Sequence, residues 1–173
     1  YKNLFDLKIL SKYLLKMQEA EQLKINDGNL CFLKTHGALL NYYGNPFTNK
    51  EKTMGIIYVV RDPRDVAISF SHFLNQNIDD TIKFMLDKKA ALKYTGNKKL
   101  NISIAPPLHV SSWNVHYNSW NFLEVPKLIL KYEDLINNKK KALAMIINFF
   151  KNNYNYKIQK ANDPFIPFQE LED

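Results

Sequence analysis

Three short polar segments carry residue types that can bind an anion and accept a proton. Lys34–His36 reads Lys-Thr-His, Arg61–Asp65 reads Arg-Asp-Pro-Arg-Asp, and Tyr132–Asp134 reads Tyr-Glu-Asp. Lysine and arginine neutralise anions, and histidine is the most common proton acceptor near neutral pH. Each segment ends a stretch whose composition predicts a β-strand. Because ligands of open α/β sheets bind outside the carboxyl ends of the strands, the pattern predicts one basic pocket.

That pocket is expected to contain Lys34, His36 and Arg61 and to suit a phosphate group. A guanidinium donates two parallel hydrogen bonds to phosphate oxygens, and Ser69 supplies a hydroxyl two helical turns beyond Arg61. Of the 24 lysines and arginines only Arg61 and Arg64 are arginines. In so lysine-rich a chain, a retained arginine indicates a place where its planar, permanently charged head is needed.

Strands that alternate with helices must position these residues. Strands are predicted over 30–33, 55–60 and 127–132, of which 55–60 is a continuous, β-branched run typical of a central parallel strand. Helices are predicted over 4–23, from Pro63 to about Asn75, and over 79–92, 109–123 and 138–153. This order predicts an α/β fold with a parallel sheet flanked by helices, in a single domain over 1–173.

Composition excludes several classes of protein. The formal net charge is +7, but 46% of the residues are hydrophobic, so the chain is not disordered. A single cysteine, Cys31, excludes an internal disulfide framework and fits a reducing compartment, so a cytoplasmic location is expected. No apolar run reaches the roughly 20 residues that a membrane-spanning helix needs, and the first ten residues resemble a helix rather than a signal peptide.

Four segments, in order, resemble the cytosolic-type sulfotransferases, which use 3′-phosphoadenosine 5′-phosphosulfate as sulfuryl donor. Phe32–His36 is similar to the family's catalytic Lys-Thr-His segment. Tyr58–Ser69, followed by His72-Phe73, resembles the motif that binds the donor's 3′-phosphate. Ser112–Trp120 resembles a tryptophan-bearing helix, and Leu128–Leu135 resembles the Tyr-Glu-Asp strand. The resemblance implies a P-loop-NTPase-like sulfotransferase fold, here partial.

The resemblance also implies roles for individual residues. His36 would be the general base that takes the proton from an acceptor hydroxyl, and Lys34 would stabilise the bridging oxygen as the sulfuryl group leaves. The donor-binding residues would be Arg61 and Ser69 at the 3′-phosphate, and Tyr132 and Phe168 at the adenine. No metal is expected, because cationic side chains neutralise the departing phosphate in a loose, in-line transfer.

Two family elements have no match in this sequence. One is the Gly-containing loop with Lys and Ser/Thr that cradles the 5′-phosphosulfate, and the other is a C-terminal Arg-Lys-Gly segment. The chain is therefore expected to be a fragment, a shortened form or a degenerate homologue, with weak or no transferase activity alone. A first strand lost with the N-terminal loop would explain why only three strands are predicted.

Other functions stay open at this level. A basic nucleic-acid-binding module would draw on the isoelectric point of 9.3, although the lysines are dispersed and no nucleic-acid motif is recognised. A non-catalytic nucleotide-binding module and a P-loop phosphoryl-transfer enzyme are further alternatives. The expected acceptor is a small molecule or glycan that carries a hydroxyl. The sequence identifies neither this acceptor nor the oligomeric state. His116, Trp113 and Trp120 are interpreted as core or pocket wall.

Overall fold

The computed structural model describes residues 32–42, 44–92 and 108–155, which divide between two compact units. The first unit contains the described residues up to Met54 and those from Pro63 to Glu124. The second contains Gly55–Asp62 and the described residues from Val125 onward. Several predictions lie outside the described residues, namely the helix over 4–23, Cys31 and Phe168.

The described elements follow one another in a mixed order along the chain. They are β1 (Asn41–Tyr42), β2 (Asn45–Pro46), β3 (Ile56–Val60), α1 (Pro63–Leu74), α2 (Ile78–Leu86), β4 (Ala91–Leu92), β5 (Leu108–His109), α3 (Trp113–Ser119), a 3-10 turn (Trp120–Phe122), β6 (Lys127–Lys131), α4 (Tyr132–Asn137) and α5 (Lys139–Tyr154).

The second unit is built on a pair of parallel strands. β3 and β6 pair in parallel from Ile56 opposite Lys127 to Val60 opposite Lys131. Helices α4 and α5 pack against β6, and Leu130 at its centre is 1% exposed. This confirms the predicted α/β class with a parallel sheet flanked by helices. The prediction of a single domain stays a prediction.

The first unit is mostly helical, with two short antiparallel pairs. Strand β1 pairs with β2, and β4 pairs with β5. Helix α1 packs against α2, and α2 against α3. Pro63 opens α1 with Asp65 in its first turn, as predicted, since proline suits the first helical position and a carboxylate favours the helix N-terminus.

The structure moves the ends of three predicted elements. Phe32 and Leu33, expected in a strand, lie in irregular backbone. Helix α2 ends at Leu86 rather than at residue 92, because Asp87 is extended and its N–H bonds back to Phe84. Strand β6 ends at Lys131, because Tyr132 starts α4 with Glu133 and Asp134 in the first turn.

The helix predicted over 109–123 starts four residues later. Leu108 and His109 form β5 instead, and Ser111 turns the chain with a φ of 58°. The Ser111 N–H and hydroxyl donate to the carbonyls of Ala90 and Lys88, which stabilises a conformation that side chains rarely adopt. Hydrophobic periodicity continued through this turn, so the pattern did not reveal it.

We expect Gly55→Ala to destabilise the second unit. A Cβ at Gly55 would overlap the Tyr154 hydroxyl and stand 3.1 Å from Phe149 Cζ and 3.2 Å from the Pro126 carbonyl oxygen. That carbonyl already accepts the Ile56 N–H at 3.0 Å, so it has little freedom to shift. Overpacking of this kind costs about 1–3 kcal/mol of unfolding free energy, measured here by urea denaturation with circular dichroism.

Gly44→Ala is the comparison for this change. A Cβ at Gly44 meets nothing within 4 Å, but the φ of 84° makes any side chain strained there. Its cost is therefore conformational, about 1–2 kcal/mol. Tyr154→Phe removes the hydroxyl that the new Cβ would overlap. If it leaves the penalty of Gly55→Ala unchanged, overlap with the Tyr154 hydroxyl is not the cause of that penalty.

Candidate functional site

Lys34, Thr35 and His36 lie in an exposed, irregular segment of the first unit. The Thr35 hydroxyl oxygen accepts the Gly37 N–H at 3.0 Å, which forms a local turn directly after the histidine. Lys34 and His36 lie near each other because they are only two residues apart in the chain. Thr35 between them shapes the backbone that follows.

Helix α3 holds this segment through polar side chains. His116 Nε2 lies 3.1 Å from the carbonyl oxygen of His36, a geometry in which the ring N–H donates. The Ser119 hydroxyl oxygen accepts the Leu39 N–H at 2.9 Å. A helix places residues three apart on the same face, so one side of α3 reaches both ends of the segment.

Trp120, the first residue of the 3-10 turn after α3, also binds this segment. Its indole Nε1–H donates to the Gly37 carbonyl at 3.2 Å, and its ring packs edge-on against Phe47 with centroids 6.2 Å apart. The residue is buried at 8% exposure. Since a tryptophan buried in this way needs a partner for its N–H, the Gly37 carbonyl is a structural requirement rather than a chance neighbour.

Strand β5 contacts the same segment from another direction. The Ala38 N–H donates to the His109 carbonyl at 3.1 Å, and Ala38 is 2% exposed. A Cβ at Gly37 would stand 3.1 Å from Leu108 Cδ1, which is tighter than ordinary packing. Each of residues 36–39 therefore has at least one backbone group in a hydrogen bond, and Gly37 and Ala38 are buried.

Burial sets the protonation of the histidine on α3. Desolvation lowers the pKa of His116 from its ordinary 6.5, the bond to the His36 carbonyl opposes this, and the charge of His36 lowers it further. Burial also lowers the pKa of His109. A neutral His116 still donates from Nε2, so the contact to His36 needs no positive charge.

Ser69 lies on helix α1 in the first unit. The side chain is exposed, whereas Ala67 is the buried residue of that helix. Two residues along a helix rotate by about 200°, so Ser69 points away from the face that Ala67 packs. Its hydroxyl is accessible, as a ligand-binding serine requires.

In the second unit the structure brings Arg61 and Tyr132 together. They directly follow Val60 and Lys131, which are register partners at the ends of β3 and β6. The Arg61 guanidinium carbon lies 4.6 Å from the centroid of the Tyr132 ring, a cation–π contact. A guanidinium held over an aromatic ring can still donate hydrogen bonds from its N–H groups.

Two buried polar atoms near this contact lack hydrogen-bond partners in the part of the chain that the structure describes. They are Arg61 Nε and Glu133 Oε1. A buried donor without an acceptor is costly, and such groups in a native protein call for an explanation, of which a bound ligand is one. An anion that accepts from Arg61 Nε would remove that cost.

The six predicted site residues thus fall into three groups. Lys34, His36 and Ser69 belong to the first unit, Arg61 and Tyr132 belong to the second, and Phe168 lies outside the described residues. Sequence reasoning missed the part that α3 has in holding the segment. The available signal was the spacing of His116, Ser119 and Trp120, with three hydrogen-bonding side chains at i, i+3 and i+4.

Residues 6–163 match the family described as the sulfotransferase domain. The chain belongs to this family. This confirms the family resemblance of the four sequence segments. Within residues 32–42, 44–92 and 108–155, no cluster of three or more His, Cys, Asp or Glu side chains could hold a metal ion. None of the described helices has the length and apolar character to cross a membrane.

Curated sulfotransferases align with part of the chain. The amine sulfotransferase of rabbit (Oryctolagus cuniculus) is 29% identical over 116 residues, which is 65% of this chain and 35% of that protein. Sulfotransferase 1B1 of dog (Canis lupus familiaris) is 29% identical over 110 residues, 62% of this chain and 34% of that protein. The chain thus spans about a third of the length of the curated relatives it matches.

We expect Trp120→Phe to destabilise this sulfotransferase chain by about 1–3 kcal/mol, because the Gly37 carbonyl would lose its donor in a buried place. The ring packing against Phe47 would largely remain. Trp113→Phe is the matched control, since Trp113 stacks on Tyr117 with planes only 5° apart, and phenylalanine can keep that stack. Equal losses in urea denaturation would contradict the role of the indole N–H.

Stability should also fall as the pH drops below about 6.5. The pKa of His116 is lowered in the folded state, so the unfolded chain takes up a proton more readily. The contribution of a neutral His116 is therefore present above 6.5 and is lost as the pH falls below it. Thermal melting between about pH 7 and pH 5 should show a flatter decline for His116→Gln than for wild type. An unchanged slope would contradict this assignment.

Proposed function

We propose that this chain carries part of a sulfotransferase that moves a sulfuryl group from 3′-phosphoadenosine 5′-phosphosulfate to an acceptor hydroxyl. The observation that carries the proposal is the Arg61–Tyr132 pair at adjacent strand ends, with a buried Arg61 Nε that lacks a partner among the described residues. The family match supports sulfuryl transfer as the reaction.

The Arg61–Tyr132 pair is suited to a phosphate monoester next to an aromatic base. Arg61 presents a planar fork over the Tyr132 ring, and such forks pair with phosphate oxygens by two parallel bonds. In this proposal Arg61 binds the 3′-phosphate. Ser69, whose hydroxyl is exposed in the first unit, is proposed from the family resemblance as a further donor-binding residue. Tyr132 and Phe168 contact the adenine.

The transfer step uses the segment held by α3. His36 removes the proton of the acceptor hydroxyl while the acceptor oxygen forms a bond to sulfur. The bond between sulfur and the bridging oxygen breaks, and its electron pair stays on the departing 3′,5′-bisphosphate. Lys34 stabilises the negative charge that develops on that oxygen, as preorganised cations do in phosphoryl transfer. Both side chains are exposed, as residues that meet substrates must be.

The acceptor class follows from what His36 can do. A base of this kind activates any acceptor that must lose a proton, so small-molecule and glycan hydroxyls fit. The name of the rabbit relative, amine sulfotransferase, extends the class to amines. We propose no metal cofactor, no nucleic-acid partner and a cytoplasmic location, the last supported by the use of a single cysteine.

Calorimetric titration with 3′-phosphoadenosine 5′-phosphate tests the donor site in the whole chain. We expect Arg61→Ala to bind about 10- to 100-fold more weakly than wild type, since charge-assisted hydrogen bonds contribute about 1.5–3 kcal/mol. Arg61→Lys should bind at an intermediate level, because the charge stays and the fork is lost. Arg64→Ala, which removes the only other arginine, should bind like wild type.

Two results would overturn this proposal. One is a folded wild-type chain that binds no nucleotide at millimolar concentration. The other is an equal loss of affinity in Arg61→Ala and Arg64→Ala, which would indicate general charge attraction instead of a site. Raising the salt concentration further separates a specific site from general charge attraction, since dispersed charge attraction weakens steeply with salt.

A further inference from the structure

His36 differs from an ordinary loop residue in how its backbone is held. Its own carbonyl accepts from His116, while the carbonyl of Gly37 accepts from Trp120 and the N–H of Leu39 donates to Ser119. All three contacts are made to backbone atoms, so none of these three hydrogen bonds involves the imidazole of His36.

We propose that His116 is a positioning residue that orients His36 for proton transfer by holding its carbonyl. The proposal rests on the proposed function, in which His36 is the base. A bond to the carbonyl of residue 36 restricts rotation about its Cα–C bond, and the turn at Thr35 restricts the chain next to it. Together they limit the directions in which the His36 side chain can leave the backbone.

The position of His116 on α3 explains why a histidine is suited to bind the His36 carbonyl. Ser119 and Trp120 are both buried, at 4% and 8% exposure, and fix the register of the segment against the helix. His116 is one helical turn earlier and only half-buried, so its ring extends from that buried anchor toward the exposed His36. A long planar side chain with a donor at its tip spans this distance with only two rotatable bonds.

The protonation of His116 agrees with this role. Burial favours its neutral form, and the charge of His36 favours it too. When His36 has taken a proton from the acceptor, repulsion therefore keeps His116 neutral, and its Nε2–H continues to donate. A lysine or arginine in its place would set a permanent positive charge beside the protonated base.

Nuclear magnetic resonance on the labelled 173-residue chain tests the proposal without any nucleotide. Wild type should show His116 as the neutral tautomer with its proton on Nε2. The backbone order parameters of His36 and Gly37 should be near 0.85, the value of rigid backbone, and should fall below about 0.6 in His116→Leu. His116→Gln should restore them, because its side-chain amide can donate from nearly the same place.

Asn118→Ala is the matched control on the same helix. Asn118 is exposed, and its amide bonds to Asn114 within α3, so its loss should leave His36 and Gly37 rigid. Rescue by glutamine separates positioning from packing, since a purely structural role would accept leucine as well as glutamine.

The proposal would be overturned by a proton on Nδ1 of His116 in wild type, a result that needs no variant to fold. It would equally be overturned by order parameters that stay high in His116→Leu, or by an equal fall in the leucine and glutamine variants. Failure of the proposed function would show separately, as absence of nucleotide binding in the titration, and it leaves these order parameters unaffected.

Discussion

The peptide groups of residues 36–39 take their hydrogen bonds from side chains and from a short strand edge. Irregular backbone that is partly buried must find such partners, because an unpaired peptide group away from water is costly. Here His116 and Ser119 of α3 and Trp120 of the 3-10 turn supply three of them, and the His109 carbonyl supplies a fourth. The exposed Lys34–His36 segment can therefore be well positioned although it lies in neither a helix nor a strand.

In the second unit, the register between two strands positions the predicted site residues. In parallel pairing Val60 lies opposite Lys131, so the next residues of the two strands, Arg61 and Tyr132, are neighbours at one edge. The chain then turns at once into α4, which brings the tyrosine ring under the guanidinium. A shift of one residue would turn alternate side chains to the other face and remove the contact.

Much of the architecture could be predicted because it rests on local chemistry. The β-branched run of β3, the proline at the start of α1 and the apolar periodicity of α5 are short-range signals, and the structure agrees with each. The same signals failed around Ser111, where a left-handed turn and a pair of two-residue strands interrupt an apparently helical pattern. Those features depend on bonds to Ala90 and Lys88, more than twenty residues away, which periodicity cannot detect.

The candidate site likewise has a part that the sequence indicated and a part that only the tertiary structure showed. Residue types and their spacing predicted a basic pocket with Lys34, His36, Arg61 and Ser69, and the resemblance of four segments in order indicated the sulfotransferase family, which the family match confirms. The roles of the single residues stay predictions. What His116 and Trp120 do became visible only in three dimensions. Their partners are carbonyls some eighty residues earlier in the chain. A carbonyl is common to every residue, so no sequence pattern marks which one will be bound, and only folding brings donor and acceptor within reach.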